Sequence, residues 1–405
     1  MVFAALWDSL LPLGRHEPTG GYRRYSWTEA DAACRAWFKE TAQERGLRAS
    51  CDRDGNLWAW WDCPGSSRGA IVTGSHLDSV PDGGAYDGPL GVVSAFAAID
   101  LLRAAGFVPA RPIAVAAFCE EEGARFGLAC LGTRLLTGAI APAVALELRD
   151  GSGLGLAEAM TAAGLDPGRI GPDDELLARI SAFVELHVEQ GSALAGLDAA
   201  VGVAAGIWPH GRWRLDFIGR ADHAGTTRIA DRRDPMLPYA AAVLAARKAA
   251  AEHGALATFG KVAAEPGGAN AICSAVRAWL DARAPDEVAL RRVVDQISSA
   301  ARIAAAEHRV EVSVRRESFS PPVVFDAGLR DRLVATLRTR GIAAPVLPTG
   351  AGHDAGILAA RLPTAMLFVR NPSGVSHSPA EEADPADCEA GVVALAAVLE
   401  DLARR

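Results

Sequence analysis

Three of the chain's nine histidines stand at or beside the end of an apolar run, next to carboxylates or glycines. His76 closes AIVTGSH, His187 lies within FVELHVEQG, and His377 follows TAMLFVRNPSGVS. A fourth apolar run, IAVAAFC, ends in Glu120, Glu121 and Glu122. Imidazole nitrogen with carboxylate oxygen is a donor set that borderline and hard divalent cations take. Asp78 sits two residues beyond His76, where it can accept the second ring N–H and fix the tautomer. Asp87, between Tyr86 and Gly88, can turn back toward His76, and one carboxylate can bridge two ions about 3.5–4 Å apart. From Thr73 to Ser94 there are three aspartates, five glycines and no lysine or arginine.

Singly, each feature has an ordinary reading. A strand-end histidine is commonly a structural hydrogen bonder. A run of glutamates is commonly a solvated turn or helix start. A Gly-rich loop is commonly a turn, and no GK[ST] follows GPLG, which excludes a phosphate-binding loop. Their convergence on the ends of four strands favours one dinuclear site instead.

The elements that must position these residues are legible in the hydrophobic pattern. AIVTGSH, IAVAAFCEEEG, FVELHVEQG and TAMLFVRNPSG are short apolar runs ending in polar or Gly-rich turns, as buried strands of a largely parallel sheet do. Helical patterns at 89–105 and 130–138 alternate with them, which gives an α/β class with helices on both faces. In such sheets ligands bind outside the carboxyl ends of the strands. The pattern changes near Trp208. RWRLDFIGR, DPMLPYAAAVLAARKAAAEHG, ATFGKVAAE, CSAVRAWLDAR, DEVALRRVVDQISSAARIAAAEHR and VEVSVRRES read in the order β-α-β-β-α-β, a ferredoxin-like arrangement. The expected organisation is a first domain over 1–207 and 319–405, interrupted by a second at 208–318. The first domain resumes with a helix at 325–340 and a strand near Met366.

Composition sets the outer limits. The chain has 405 residues, 50% hydrophobic and 22% charged, with a net charge of -8. That length suits two domains. No basic run stands out, which argues against nucleic acid and anionic membranes as partners. The seven cysteines are odd in number and show no CxxC spacing, as expected of free thiols in a reducing cytoplasm. The apolar N-terminus is interrupted by Asp8 and reads as a docking helix rather than a signal peptide. No apolar run reaches the ~20 residues that span a bilayer.

Taken together, TGSHLDSVPDGGAYDG, EEEGARFG, ELHVEQG, HAGTTRIADRRDP and SHSPAEE resemble the M20-type metallo-amidohydrolases. The resemblance is to the hydantoinase/carbamoylase branch: N-carbamoyl-L-amino acid hydrolases, allantoate amidohydrolases and β-ureidopropionases. It covers essentially the whole chain. It implies a catalytic domain with two divalent metal ions per subunit (zinc, manganese, cobalt or nickel) and an inserted lid domain through which the protein forms a homodimer. It implies that His76 and His187 hold one metal, Glu122 and His377 the other, and that Asp87 bridges them. The triple glutamate leaves a one-place ambiguity, which the Gly123 after the family's ligand glutamate settles. Glu121 then matches the general base. The histidine at 187, where the peptidase branch usually has a carboxylate, points to the amidohydrolases.

The resemblance further implies that His223 donates to the oxyanion and that Arg283, with Asn270, recognises a small substrate's carboxylate. Gln190 would face the carbamoyl or amide group, and Gly350 and Gly352 would offer backbone N–H groups, buttressed by His353 and Asp354. Arg283 has a competing reading as a surface ion pair with Asp286 or Glu287. Arg228, Arg232 and Arg233 read equally as an anion pocket and as solvated surface. Arg370 reads either as a second anion contact or as an outward structural residue, and Asn371 departs from the family's usual serine. The expected reaction is hydrolysis of the C–N bond of an N-carbamoyl-L-amino acid or of the ureide allantoate. N-formyl or other N-acyl amino acids, exopeptidase action and a non-catalytic metal-stabilised binding protein are the alternatives.

Overall fold

The structure, a computed structural model, describes residues 2–67 and 69–404. It contains two compact units, Met1–Gly206 with Val324–Arg405, and Ile207–Val323.

The first unit is built on one large sheet. Four neighbouring strands run parallel in the order Thr364–Val369, Ile180–Val188, Ala70–His76, Ile113–Phe118. Antiparallel strands flank them: Val201–Ile207 beside Thr364–Val369, and Leu57–Trp61 beside Ile113–Phe118, followed by Arg48–Cys51. Every residue of Ala70–His76, Ile113–Phe118 and Thr364–Val369 is buried. Strands covered on both faces need no polar side, which is why they read as unbroken apolar runs.

Helices Pro89–Ala104 and Pro385–Ala403 pack against each other and against this sheet. Each begins with a proline, whose missing N–H costs nothing in the first turn. Ala182, Val184, Leu186 and Val188 join their core together with Ile71, Val115, Leu367 and Val369. Because strand side chains alternate, Glu185 and His187 are left on the opposite face. The N-terminal helix Val2–Leu10 docks by stacking Trp7 on Tyr86, with ring centroids 4.7 Å apart.

The second unit has an antiparallel sheet in the order Leu256–Glu265, Ala275–Arg283, His210–Ile218, Glu311–Ser320. Helices Met236–His253 and Glu287–Glu307 pack together, giving the ferredoxin-like connectivity. Asp286 caps the second helix by accepting from the Ala289 N–H. Leu290, Val293, Val294, Ile297 and Ala301 then bury one face at helical spacing. A separate two-residue ladder pairs Asp222–His223 with Ala271–Ile272.

All seven cysteines are free. Among the described residues, no helix is long and apolar enough to cross a membrane.

Candidate metal centre

His76 is the last residue of its strand, and His187 the last but one of the neighbouring strand. Both rings are buried and lie 5.8 Å apart, centroid to centroid. The Nδ1 of His76 is 3.1 Å from the Asp78 carbonyl, and that of His187 is 2.9 Å from the Val188 carbonyl. A carbonyl only accepts, so each Nδ1 donates and each Nε2 is the ring atom turned toward the cluster.

Those Nε2 atoms face a carboxylate. Asp87 Oδ1 lies 3.2 Å from His187 Nε2 and 3.6 Å from His76 Nε2. The other oxygen, Oδ2, lies 3.3 Å from His377 Nε2, which is itself 3.6 Å from Glu122 Oε2. Asp87 thus divides its two oxygens between two donor sets. Gly88 allows this approach, since a Cβ there would stand 2.4 Å from the His76 ring, and its φ of +86° suits glycine.

Burial disfavours a charged ring, yet Glu121, Asp78 and Asp87 raise His76 and Asp87 raises His187, so these carboxylates favour positive charge among them. His76 Nε2, His187 Nε2 and Glu122 Oε1 are buried without a hydrogen-bond partner among the described residues. Burial, reinforced by Asp87, pushes the Glu122 carboxyl up to about 7. Hydrogen bonding to Asp87 raises His377 to about 9 against its partial burial. Both shifts reflect carboxylates crowded together, which a nearby cation would relieve. The ligand atoms of His76, Asp87 and His187 lie within 4.8 Å of one another, as do those of Asp87, Glu122 and His377. Buried N and O ligand atoms of this kind fit a divalent cation.

Glu121 Oε2 stands 3.7 Å from His76 Nε2. Burial pushes its carboxyl well above the usual range; His76 opposes this, while Asp354, Glu122 and Asp78 add to it. A third set, Glu185, His187 and His353, also clusters, but it shares His187 with the first. The His353 ring is 4.5 Å from that of His187.

With this geometry in place, comparison with known proteins is informative. A family model described as peptidase family M20/M25/M40 matches residues 72–401. The chain belongs to this family.

Among curated M20 relatives, the chain is 36% identical to the N-carbamoyl-L-amino acid amidohydrolase of Geobacillus stearothermophilus, covering 96% of each. It is 31% identical to the allantoate amidohydrolase of Escherichia coli K12, over 96% of this chain and 94% of that one. Among solved structures, a hydantoinase/carbamoylase family amidase from Burkholderia multivorans superposes with a TM-score of 0.87 at 29% identity. That match covers 100% of this chain and 98% of the other. M20 enzymes are metal-dependent hydrolases, and the cluster around Asp87 is this member's candidate metal centre.

The structure gathers His76, Asp87, Glu121, Glu122, His187, Gln190 and His377 into this one cluster. Gln190 donates from Nε2 to Asp87 Oδ2 at 2.6 Å, so its amide is engaged by that carboxylate rather than facing open space. Gly350 and Gly352 lie in the turn before helix Asp354–Leu358. Asp354 accepts from Thr133 at 2.6 Å, and the N–H of Ala355 donates to Glu185 at 3.0 Å. In the second unit, His223 and Asn270 are neighbours: the Ala224 N–H donates to the Asn270 carbonyl. Arg283 ends the strand Ala275–Arg283, where it pairs with His210.

Several expectations need correction. The Asp78 carbonyl is the nearer acceptor for His76 Nδ1, at 3.1 Å, with the Asp78 carboxylate beside it at 3.5 Å. That carboxylate also accepts from the N–H groups of Glu121 and Glu122, at 3.2 and 3.0 Å, and so holds the glutamate turn. The turn is not solvated: Glu120 is wholly buried and accepts from Arg125 and Phe126 N–H. Arg283 hydrogen-bonds Asp281 from Nε at 2.8 Å, not Asp286 or Glu287. Arg370 is held by Asp387 at 2.7 and 2.9 Å, which makes it structural.

The unexpected Asn371 organises the turn toward His377. Its Oδ1 accepts from Ser373 and Gly374, and its Nδ2 donates to the Val375 carbonyl. Sequence reading missed Cys130, whose thiol donates to Glu121 Oε1 at 3.3 Å. It also missed Ser376 and Glu381. Only membership of SHSPAEE marked those two, with no chemical pattern to single them out.

Proposed function

We propose that the protein is a dinuclear amidohydrolase that cleaves the C–N bond of N-carbamoyl-L-amino acids or of the ureide allantoate. The observation that carries this reading is Asp87, whose two oxygens face separate histidine sets while Glu121 stands alongside. The named relatives at 36% and 31% identity supply the substrate class.

In this reading His76 and His187 hold one ion, Glu122 and His377 the other, and Asp87 spans both. Bound there, zinc, manganese, cobalt or nickel would supply the acidification of water and the polarisation of the scissile carbonyl. Glu121 takes the proton from the attacking water and returns it to the leaving nitrogen. Its burial among carboxylates suits that work by keeping its proton affinity high. Cys130 holds one of its oxygens, which fixes the plane of the carboxylate and turns the other toward His76.

His223 stabilises the tetrahedral oxyanion. Its Nδ1 accepts backbone N–H bonds from Gly225 at 3.0 Å and Thr226 at 3.2 Å. The ring proton therefore sits on Nε2, as an oxyanion donor requires. In the second unit, Arg283 offers its planar fork to the substrate carboxylate together with Asn270; in the first, Gln190 and the N–H groups of Gly350 and Gly352 are further substrate contacts.

The second unit acts as a lid and as a dimerisation surface. Its strand Leu256–Glu265 is a sheet edge with Leu256 and Val262 exposed. Met236, Leu237, Val243 and Leu244 are exposed on the adjoining helix. An apolar stripe beside an unpaired edge is a pairing surface for a second copy. Light scattering should give twice the chain mass, and a monomer at micromolar concentration would refute this part.

The deciding experiment is hydrolysis by metal-depleted and then reloaded protein. The panel is allantoate, N-carbamoyl-, N-formyl- and N-acetyl-L-amino acids and a dipeptide, with ammonia and free amine scored separately. Metal-dependent turnover of a carbamoyl or ureide substrate is expected. Preference for N-formyl, N-acetyl or dipeptide substrates would reassign the acyl group. No turnover with metal bound would remove the catalytic reading.

A further inference from the structure

Glu381 lies in the loop beyond His377, is 6% exposed, and is assigned no role by the metal-centre reading. Its Oε1 accepts two backbone N–H bonds, from Tyr86 at 2.9 Å and from Asp87 at 3.0 Å. Its Oε2 is 3.3 Å from the Ser376 hydroxyl, which also stands 3.2 Å from Asp87 Oδ2. Its own N–H donates to the Ser378 carbonyl at 3.0 Å. The one carboxylate therefore ties the segment carrying Asp87 to the segment carrying His377. These positions are 294 residues apart between Asp87 and Glu381.

Both tied segments need holding. His377 has a φ of +55°, a left-handed conformation that a non-glycine residue adopts only under constraint. Gly84 packs directly on the carboxylate: a Cβ there would stand 2.4 Å from Glu381 Oε1 and from its Cβ. The tight fit leaves Glu381 a single place to sit.

We propose that Glu381 is a positioning residue that sets the separation of Asp87 and His377, and thereby the fit of the second metal. This rests on the reading of Asp87 as the bridge. Groups that orient metal ligands typically change affinity 10- to 100-fold when removed.

The test is metal titration of the full chain against a chromogenic chelator, using Zn²⁺ and Mn²⁺, with circular dichroism of each metal-free variant. Glu381→Ala should weaken the second equivalent about 10- to 100-fold while the metal-free fold is kept. Glu381→Gln retains a carbonyl for both N–H bonds and should stay within about threefold of the parent, a rescue that separates clamping from charge. Gly84→Ala, which displaces the carboxylate without removing it, should shift affinity in the same direction as Glu381→Ala; it decides the matter if Glu381→Ala fails to fold. Unchanged affinity in the folded Glu381→Ala or Gly84→Ala variant, with metal lost in Asp87→Ala, overturns the role of Glu381 alone. Unchanged binding of both equivalents by Asp87→Ala overturns the metal-centre reading itself.

Discussion

In the first unit, His76, Asp87 and His187 are buried, and the Nε2 atoms of the two histidines have no hydrogen-bond partner among the described residues. In the second unit, His223 and Asn270 are exposed and Arg283 is half-buried, and His223 and Arg283 are already hydrogen-bonded within the unit. Under the proposed function, a cation would complete the first set. A substrate carboxylate at Arg283 would compete with Asp281, and an oxyanion at His223 would meet a ring already oriented by two backbone amides. Buried donors with unmet valence describe a preorganised centre. Surface residues held in pairs describe a recognition surface, where each contact is worth less.

The predictions follow that contrast from its strongest side. Glu121→Gln should lower kcat by about 10²- to 10⁴-fold with metal content unchanged, read by turnover and by metal analysis. Full activity would move the base elsewhere. His223→Ala should lower kcat by about 10²- to 10³-fold and leave metal affinity at the parent value. A loss of metal in that variant would break the division between the two units. Arg283→Lys should raise KM about tenfold with little change in kcat, since the ammonium cannot reproduce the fork. Cys130→Ala should lower kcat about two- to tenfold, the worth of one ordinary hydrogen bond, with Cys130→Ser restoring most of it.

The smallest effect concerns stability. Burial raises the Asp54 carboxyl from 3.8 to about 7. A raised acid favours the folded state while protonated. Its contribution is therefore complete below pH 3.8 and is lost as pH rises through about 7. Asp54→Asn keeps the acceptor for the Gly171 N–H and should flatten this part of the pH–stability curve, measured by urea unfolding at pH 5 and 8.

The parallel sheet was legible because strands buried on both faces leave continuous apolar runs, and AIVTGSH and TAMLFV are such runs. The clustered histidines and carboxylates were legible because these are rare types in a restricted place at strand ends. What sequence could not show was partner choice at short range. Whether Asp78 offers its carboxylate or its carbonyl to His76 depends on a backbone turn. Whether Arg283 pairs with Asp281 or with Asp286 depends on strand alternation against helix capping, since Asp286 is spent as the cap. Glu381 was invisible because its partners are 294 residues away by chain. Adjacent Glu382 presents the same chemistry.

The strand Thr364–Val369 lies between Val201–Ile207 and Ile180–Val188, bonded to both. During synthesis the ribosome must therefore deliver roughly nine-tenths of the chain before this slot in the sheet is filled. Until then the Ile180–Val188 strand keeps an open edge, and His377 has not yet emerged to meet Asp87. Domains generally fold as units while chains grow at about 5–20 residues per second, and unpaired strand edges are where aggregation starts. If the proposed centre binds metal, loading is then a late event in the life of this chain, and nascent chains spend many seconds with a half-built donor set. A cell that makes this protein quickly should accumulate it in inclusion bodies, or loaded with whichever divalent ion is most available at release. Slower expression at lower temperature then becomes a handle on metal content as well as on yield.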